Sequence, residues 1–359
     1  MQDPMVNPFL LTETFLLLEA VQKIEVPLNF LTDRFFKPTR MLTQDYIAVE
    51  YRSEHRILAP ALSENNFRGV DINRGTSKVK FYRPMRFGAR RTISLFDLKT
   101  RFFGEVPNLY NPVSIQERQS RLQAEDLAEL MKLFANRREQ MVSELLQTGK
   151  IKINAYSEDG IVTEQDEVDY EFDGILRPTV PWSNPQADIY GDIKAASERI
   201  QRRCGVIPTV AICGKNVEKY LLQNEALLKW LYVPSRENMV FSSWAPHWTS
   251  PEVRYIGRVQ ALNCEFVTYP RTYMDDATNT VKPYIDDDTL LLACENLGET
   301  VFVPITVFDE GSGFRSIAAP LVPRYSSNAE SQTLALSLFS NFLVIPKLVS
   351  TWSCIKTLG

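Results

Sequence analysis

Three consecutive carboxylates, Asp286, Asp287 and Asp288, are the first residues in the chain that could do chemistry. Asp286 and Asp288 sharing a Mg²⁺ through oxygen ligands would make a metal-dependent nuclease. Adjacent side chains on an extended segment alternate between faces, so the triplet by itself is a poor cage. It reads as a solvated acidic turn ahead of a buried strand at Thr289 to Cys294. Cys213-Gly214-Lys215 lacks the first glycine and the Ser/Thr of a phosphate loop, and reads as a strand end. His247 lies between Trp244 and Trp248, with Pro246 and Pro251 nearby and neither a nucleophile nor a partner acid in view; an aromatic loop or interface fits better than catalysis. Neither a dinucleotide-binding glycine pattern nor a hydrolase or zinc-protease signature occurs.

Five cysteines (Cys204, Cys213, Cys264, Cys294 and Cys354) contain no C-x-x-C pair, and His55 and His247 are the only histidines. A zinc site is therefore poorly supported, and the thiols read as reduced packing residues of a reducing compartment. These residues assign no catalytic, metal or cofactor-binding position. The chain is expected not to be an enzyme and to carry no cofactor.

Charge is distributed more tellingly. Residues 51–101 hold twelve Lys and Arg against four acids, with Gly69, Gly75 and Gly88 as turn points and no helical period. Residues 157–173 carry eight acids and no base, and residues 284–310 carry seven acids and no base. The basic segment could be a nucleic-acid-binding module that neutralises phosphates. Complementary blocks within one chain of net charge −4 favour instead an arm that straps onto a sister subunit, since electrostatic complementarity fixes register in a homo-oligomer. The expected contact set is Arg68, Arg74, Lys78, Lys80, Arg83, Arg86, Arg90 and Arg91 with Glu164, Asp166, Glu167, Asp169, Glu171, Asp286, Asp287 and Asp288.

The elements that must position these groups follow from periodicity. Residues 1–50 read as an arm with a short helix at Thr12 to Lys23, flanked by Pro8, Pro27 and Pro38. Acidic and hydroxyl residues interrupt its apolar stretches, so no signal peptide is expected; Ser337, Ser340, Asn341 and Pro346 break the apolar stretch Leu334 to Val349, so no membrane span is expected either. Ser114 and Glu117 form a capping box, and Leu127, Leu130, Met131, Phe134, Met141, Val142, Leu145 and Leu146 recur at helical spacing up to a stop at Gly149. A helix over about 114–148 would be roughly 50 Å long at ~1.5 Å per residue, a spine with one narrow apolar stripe. A hairpin follows: Ile151, Ile153 and Ala155, a turn at Ser157 to Gly160, and a return strand with Val168, Tyr170 and Phe172 alternating with acids. Pro178, Pro181 and Pro185 then mark a linker. From Asp188 the order is mixed α+β, with helices at Ile189 to Ile200 and Val217 to Leu228 and strands at Thr209 to Cys213, Arg254 to Tyr255 and Glu265 to Tyr269. Residues 309–331 read as a loop, and the last apolar strands return to the first unit.

Five stretches in this order carry a resemblance: FLTDRFF with IAVEY, RGVDINRGTSKVKFYRPMRF, LMKLFANRREQMVSELLQTGK running into IKIN, PTVAICGKNVEKYLL, and YIDDDTLLLACENLGE. Their order resembles the HK97-fold major capsid proteins of tailed phages, nearest the lambda-like capsid protein E family. The resemblance implies an α+β capsid fold: an N-arm at 1–50, an extended E-loop at 51–104, a peripheral domain at 105–187 and 306–359 that includes the spine helix 114–148, and an axial domain at 188–305. It implies a major head protein that self-assembles, as pentamers and hexamers, into an icosahedral shell enclosing double-stranded DNA without sequence-specific binding. Scaffolding, portal and decoration proteins would be its partners, and assembly would occur in the host cytoplasm.

Overall fold

A computed structural model describes residues 29–52, 77–99, 115–157, 162–228, 231–232, 250–275, 278–309, 313–328, 330 and 332–358. The expected helix at Thr12 to Lys23, the Ser114–Glu117 cap and His247 lie outside what is described.

Helix α1 (Phe30–Phe35) has only six residues, too few for a helix to persist in water alone. Burial of Phe30, Leu31, Phe35 and the following Phe36 holds it in place. Of the residues read from sequence as part of an extended arm, 29–32, Phe35 and Phe36 are thus docked into the core, while Pro38–Met41 is exposed along its length. β1 (Pro38–Met41) and β2 (Ile47–Arg52) follow, and β2 forms an antiparallel hairpin with β3 (Ser77–Tyr82). β4 (Arg86–Ser94) leads into α2 (Leu95–Lys99).

The spine helix α3 spans Ile115–Thr148, 34 residues. All eight residues of the expected stripe are buried. Gly149 closes it with φ 75°, and a Cβ at this position would collide with the Phe172 side chain, so glycine is required for backbone and packing alike. β5 (Lys150–Tyr156) and β6 (Val162–Asp169) form the expected hairpin, with Ile151, Ile153 and Val168 turned inward.

After β7 (Ile175–Leu176), α4 (Ile189–Cys204) is capped by Asp188, which accepts from the Gly191 N–H at 2.9 Å, and buries Ile189, Ile193, Ala196 and Ile200. β8 (Val210–Cys213) precedes α5 (Lys215–Gln223) and α6 (Glu225–Leu228). The single helix expected to Leu228 is broken because Asn224 leaves the helical path, donates to the Ala187 carbonyl at 3.0 Å and caps the next turn through the Leu227 N–H at 2.9 Å. The remaining strands are β9 (Leu231–Tyr232), β10 (Arg254–Val259), β11 (Cys264–Thr268), β12 (Thr272–Asp275), β13 (Thr280–Pro283), β14 (Thr289–Ala293), β15 (Gly298–Phe302), β16 (Ile305–Asp309), β17 (Gly313–Ile317), β18 (Val322–Asn328), β19 (Thr333–Pro346) and β20 (Trp352–Lys356).

One sheet has seven strands in the order β7-β20-β14-β8-β11-β10-β9. Its central strands TLLLA, VAIC and CEFVT are buried throughout, as continuous apolar runs must be when both faces are covered. The second sheet has five strands, built on β19, whose 14 residues pair first with β4 and β18 and then with β15, with β1 beside β15. The described part of residues 309–331, expected as a loop, is therefore largely strand. Much of it forms β17 and β18, whose Ser- and Arg-rich sequences lack an apolar alternation because pairing to β19, not burial, holds β18 in place.

Two short links placed side by side, 294–297 and 347–351, join the sheets, tied by the Lys347 N–H donating to the Leu297 carbonyl at 2.9 Å. β20 pairs with β14, so the end of 306–359 belongs to the seven-stranded sheet and not with β19. The spine crosses both sheets. Trp352 Nε1 donates to the Leu146 carbonyl at 3.1 Å, and Gln147 donates to the Tyr284 carbonyl at 2.8 Å.

Candidate assembly surface

The β2–β3 hairpin leaves the body at a charged and aromatic root. Lys80 Nζ lies 2.7 Å from Glu171 of its own chain, and this carboxylate raises the lysine pKa. Tyr82 packs against Tyr170 with centroids 5.7 Å apart and the rings tilted by 44°, and the Tyr170 hydroxyl donates to the Val344 carbonyl at 2.7 Å. On the outer face Val79, Phe81 and Tyr46 are exposed, and Phe81 meets Tyr46 edge-on at 5.8 Å. Three apolar side chains on a two-stranded ribbon can be covered only by another surface. Arg68 and Arg74 fall outside the described residues, as do the side chains of Lys78 and Glu164.

The other bases have more local roles. Nine register pairs hold β4 to β19, so Arg86, Arg90 and Arg91 stand on a sheet strand and not on an extended loop. Arg91 binds Asp126 at 3.0 Å and Glu129 on the spine, whereas Arg86 donates to the Thr306 carbonyl at 3.0 Å. Arg83 and Arg90 are exposed. Among the acids, Glu167 and Asp169 hold Lys150 at 2.6 and 2.9 Å; Lys150, then the Glu171 N–H, keeps the Asp169 carboxyl below its usual range. Asp166 faces Ile153 across the hairpin and is half-buried. Pairs this exposed are worth only about 0–1 kcal/mol each and weaken with salt.

The aspartate triplet is structural. Asp286 binds Lys356 at 2.9 Å, Asp288 accepts from the Asn216 side chain at 2.9 Å, and the Asp287 carbonyl accepts the Asn216 N–H at 3.0 Å at the start of α5. The Asp287 side chain is exposed. A Cβ at Gly214 would meet the Asp286 and Asp287 carbonyls, so the glycine serves this close approach. Sequence reasoning placed the triplet opposite the basic arm; the structure puts it against α5 and β20. Among the described residues no group of three or more His, Cys, Asp or Glu could hold a metal ion, and no helix is long and apolar enough to cross a membrane. The cysteines are free thiols. Burial pushes Cys294 and Cys354 up to about 12, so neither is a nucleophile at neutral pH.

Sequence reasoning missed the most heavily bonded polar group. Glu139, on the spine, is fully buried and accepts from the Leu31 N–H at 2.8 Å, the Thr32 N–H at 2.9 Å, the Thr32 hydroxyl at 2.7 Å and the Tyr269 hydroxyl at 2.8 Å. Burial raises its pKa, opposed by these donors. Beside it Arg271 joins Glu252 at 2.7 Å, Asn29 at 3.0 Å and Asn136 at 3.2 Å. Together they bind α1, the spine and the turn between β11 and β12 into one node. A signal did exist: Met131, Ala135, Glu139, Val142 and Leu146 share one helical row, and an acid in an apolar row demands buried donors.

A long helix lying across two sheets, with a basic hairpin at one edge and an acidic hairpin beside it, defines an HK97-type shell subunit. The chain belongs to the phage major capsid protein E family, whose sequence profile matches residues 14–353. It is therefore a capsid protein of tailed phages, a virion component and not an enzyme. Two solved structures share its fold. One, assigned as the capsid protein of a prophage of E. coli CFT073, has a TM-score of 0.67 at 17% identity and covers 96% of this chain and 98% of its own. The other, a phage-related protein from Bordetella bronchiseptica RB50, has a TM-score of 0.52 at 12% identity and covers 99% and 98%. No curated protein sequence matches the chain.

Proposed function

We propose that this capsid protein closes into an icosahedral shell of pentamers and hexamers around double-stranded DNA, with the β2–β3 hairpin as the strap between neighbouring subunits. The observation that carries this reading is the root of the hairpin: anchored by Lys80–Glu171 and Tyr82–Tyr170, it leaves Tyr46, Val79 and Phe81 uncovered. The 24 residues between its strands, 53–76, include Arg56, Arg68 and Arg74. Exposed Arg83 and Arg90 extend the basic surface, and the acids offered to it in a neighbour are Glu164, Asp166 and Asp287. A net charge of −4 suits a wall that encloses DNA without gripping phosphates. Scaffolding, portal and decoration proteins are the expected partners, and the host cytoplasm the place of assembly.

Replacing residues 55–74 by a short Gly–Ser turn tests the strap and spares every described strand. The expected result is a folded, soluble chain that makes no stable shells in gel filtration and negative-stain microscopy. Shells of normal yield and salt resistance would refute the strap.

A further inference from the structure

The β16–β17 hairpin ends in an aromatic knob. Phe308 and Phe314 are register partners in edge-on contact, with centroids 5.2 Å apart and 45% and 78% exposed. Its base is fixed: Ile305 is buried, Asn341 donates to the Pro304 carbonyl at 3.3 Å, and Arg86 donates to the Thr306 carbonyl. Two partly exposed phenyl rings on a pinned hairpin are an anchor for another surface.

A matching recess lies at the start of β19. Where Ser94 of β4 pairs with Thr333 of β19, a cavity of about 260 Å³ opens between Ile93, Leu95, Leu98 and Leu334, with Gln119 and Asn328 at its rim. Leu95 is 46% exposed and Phe96 beside it 76%. The lining is chiefly apolar, the chemistry a phenyl ring takes.

The knob cannot fill the recess of its own chain. Its base meets β19 at Asn341, eight residues from Thr333, or roughly 26 Å at ~3.3 Å per residue. A hairpin with five-residue strands reaches roughly 17 Å. We propose that the Phe308–Phe314 knob of one copy seats in the Leu95–Leu98–Leu334 recess of a second copy. Knob and recess, set apart along β19, make a head-to-tail contact, the kind that closes into rings. Two phenyl rings bury about 150–250 Å² each, well short of the ~1,200–2,000 Å² of a stable interface. The contact is one of several on each subunit and gains strength from repetition around the ring. The inference rests on the shell reading.

Cysteine pairing in the full chain tests it. In a Cys204→Ser background, which removes the half-exposed thiol, Phe314→Cys and Leu95→Cys are placed on separate chains, and the chains are assembled singly or mixed. A crosslinked dimer that forms only in mixed shells is the expected result. Dimers in shells of the Phe314→Cys chain alone would mean that knobs meet knobs, and no dimer in any well-formed shell would mean a different occupant; either outcome overturns the proposal. Unmodified chain that makes no shells would overturn the shell reading itself. Phe314→Ser provides a second reading: an unchanged circular dichroism spectrum with at least a tenfold loss of shell yield supports the contact, and unchanged yield overturns it.

Discussion

Replacing Glu139 by Gln is the sharpest test of the buried node. One carboxylate oxygen receives the Leu31 N–H and the Tyr269 hydroxyl, and the other receives the Thr32 N–H and the Thr32 hydroxyl. Glutamine keeps one acceptor oxygen and turns an NH₂ toward the other position, so in either orientation an amide faces a backbone N–H. A buried donor left unsatisfied costs about 1–3 kcal/mol. At ~2 kcal/mol the docking equilibrium of α1 shifts roughly 30-fold, since ~1.4 kcal/mol is tenfold. Urea unfolding of the unassembled full chain, followed by tryptophan fluorescence with Trp182 and Trp352 buried, reads any global part. Amide exchange over residues 30–36 reads the local part. The pH dependence has a fixed sign. Burial holds the folded pKa of Glu139 above its ordinary 4.5, so its linked free energy is fully present below that pH and lost as pH rises through the folded value. The Gln variant lacks this dependence, and its deficit should shrink as pH rises through that window. A change below 0.5 kcal/mol in stability, with unaltered exchange at 30–36, would refute the reasoning.

Gly149→Ala meets both a positive φ and the Phe172 side chain, and should lower stability by more than about 1 kcal/mol in the same unfolding assay. Thiol titration of the folded chain at pH 8 should find Cys204 reacting quickly and the four buried thiols only after denaturation. Lys80→Ala, removing an exposed pair, should shift the unfolding free energy by no more than about 1 kcal/mol, an effect that vanishes in high salt.

The sequence was most readable where one period governs a long run. The stripe from Leu127 to Leu146 marked the spine and Gly149 its C-terminal end, and Asp188 with Ile189, Ile193, Ala196 and Ile200 marked α4. Pairing between distant segments left no local trace. The nine-residue match of β4 to β19 could not be read from Arg90 and Arg91, whose basic character suggested a loop. The strands at Gly313–Ile317 and Val322–Asn328 were unreadable for a related reason: they are polar, and their partners supply the order. Among the assembly residues, sequence identified the charges but not where each is spent. Lys80 meets Glu171 of its own chain, where an acid of a sister subunit was expected, whereas Arg91 turned to the spine and Asp286 to Lys356.

The paired links between the sheets have a mechanical consequence. Residues 294–297 and 347–351 cross side by side, joined at Lys347 and Leu297. A ribbon of two joined strands resists shear and twist but is thin in one direction, so it acts as a flexure with a single soft axis. The spine bears on the seven-stranded sheet at Leu146 and on the five-stranded sheet at Asp126, where Arg91 of β4 binds it, and bending about that axis must curve the helix or slide it against one sheet. The subunit thus has one easy deformation, and its stiffness is set by a helix of 34 residues.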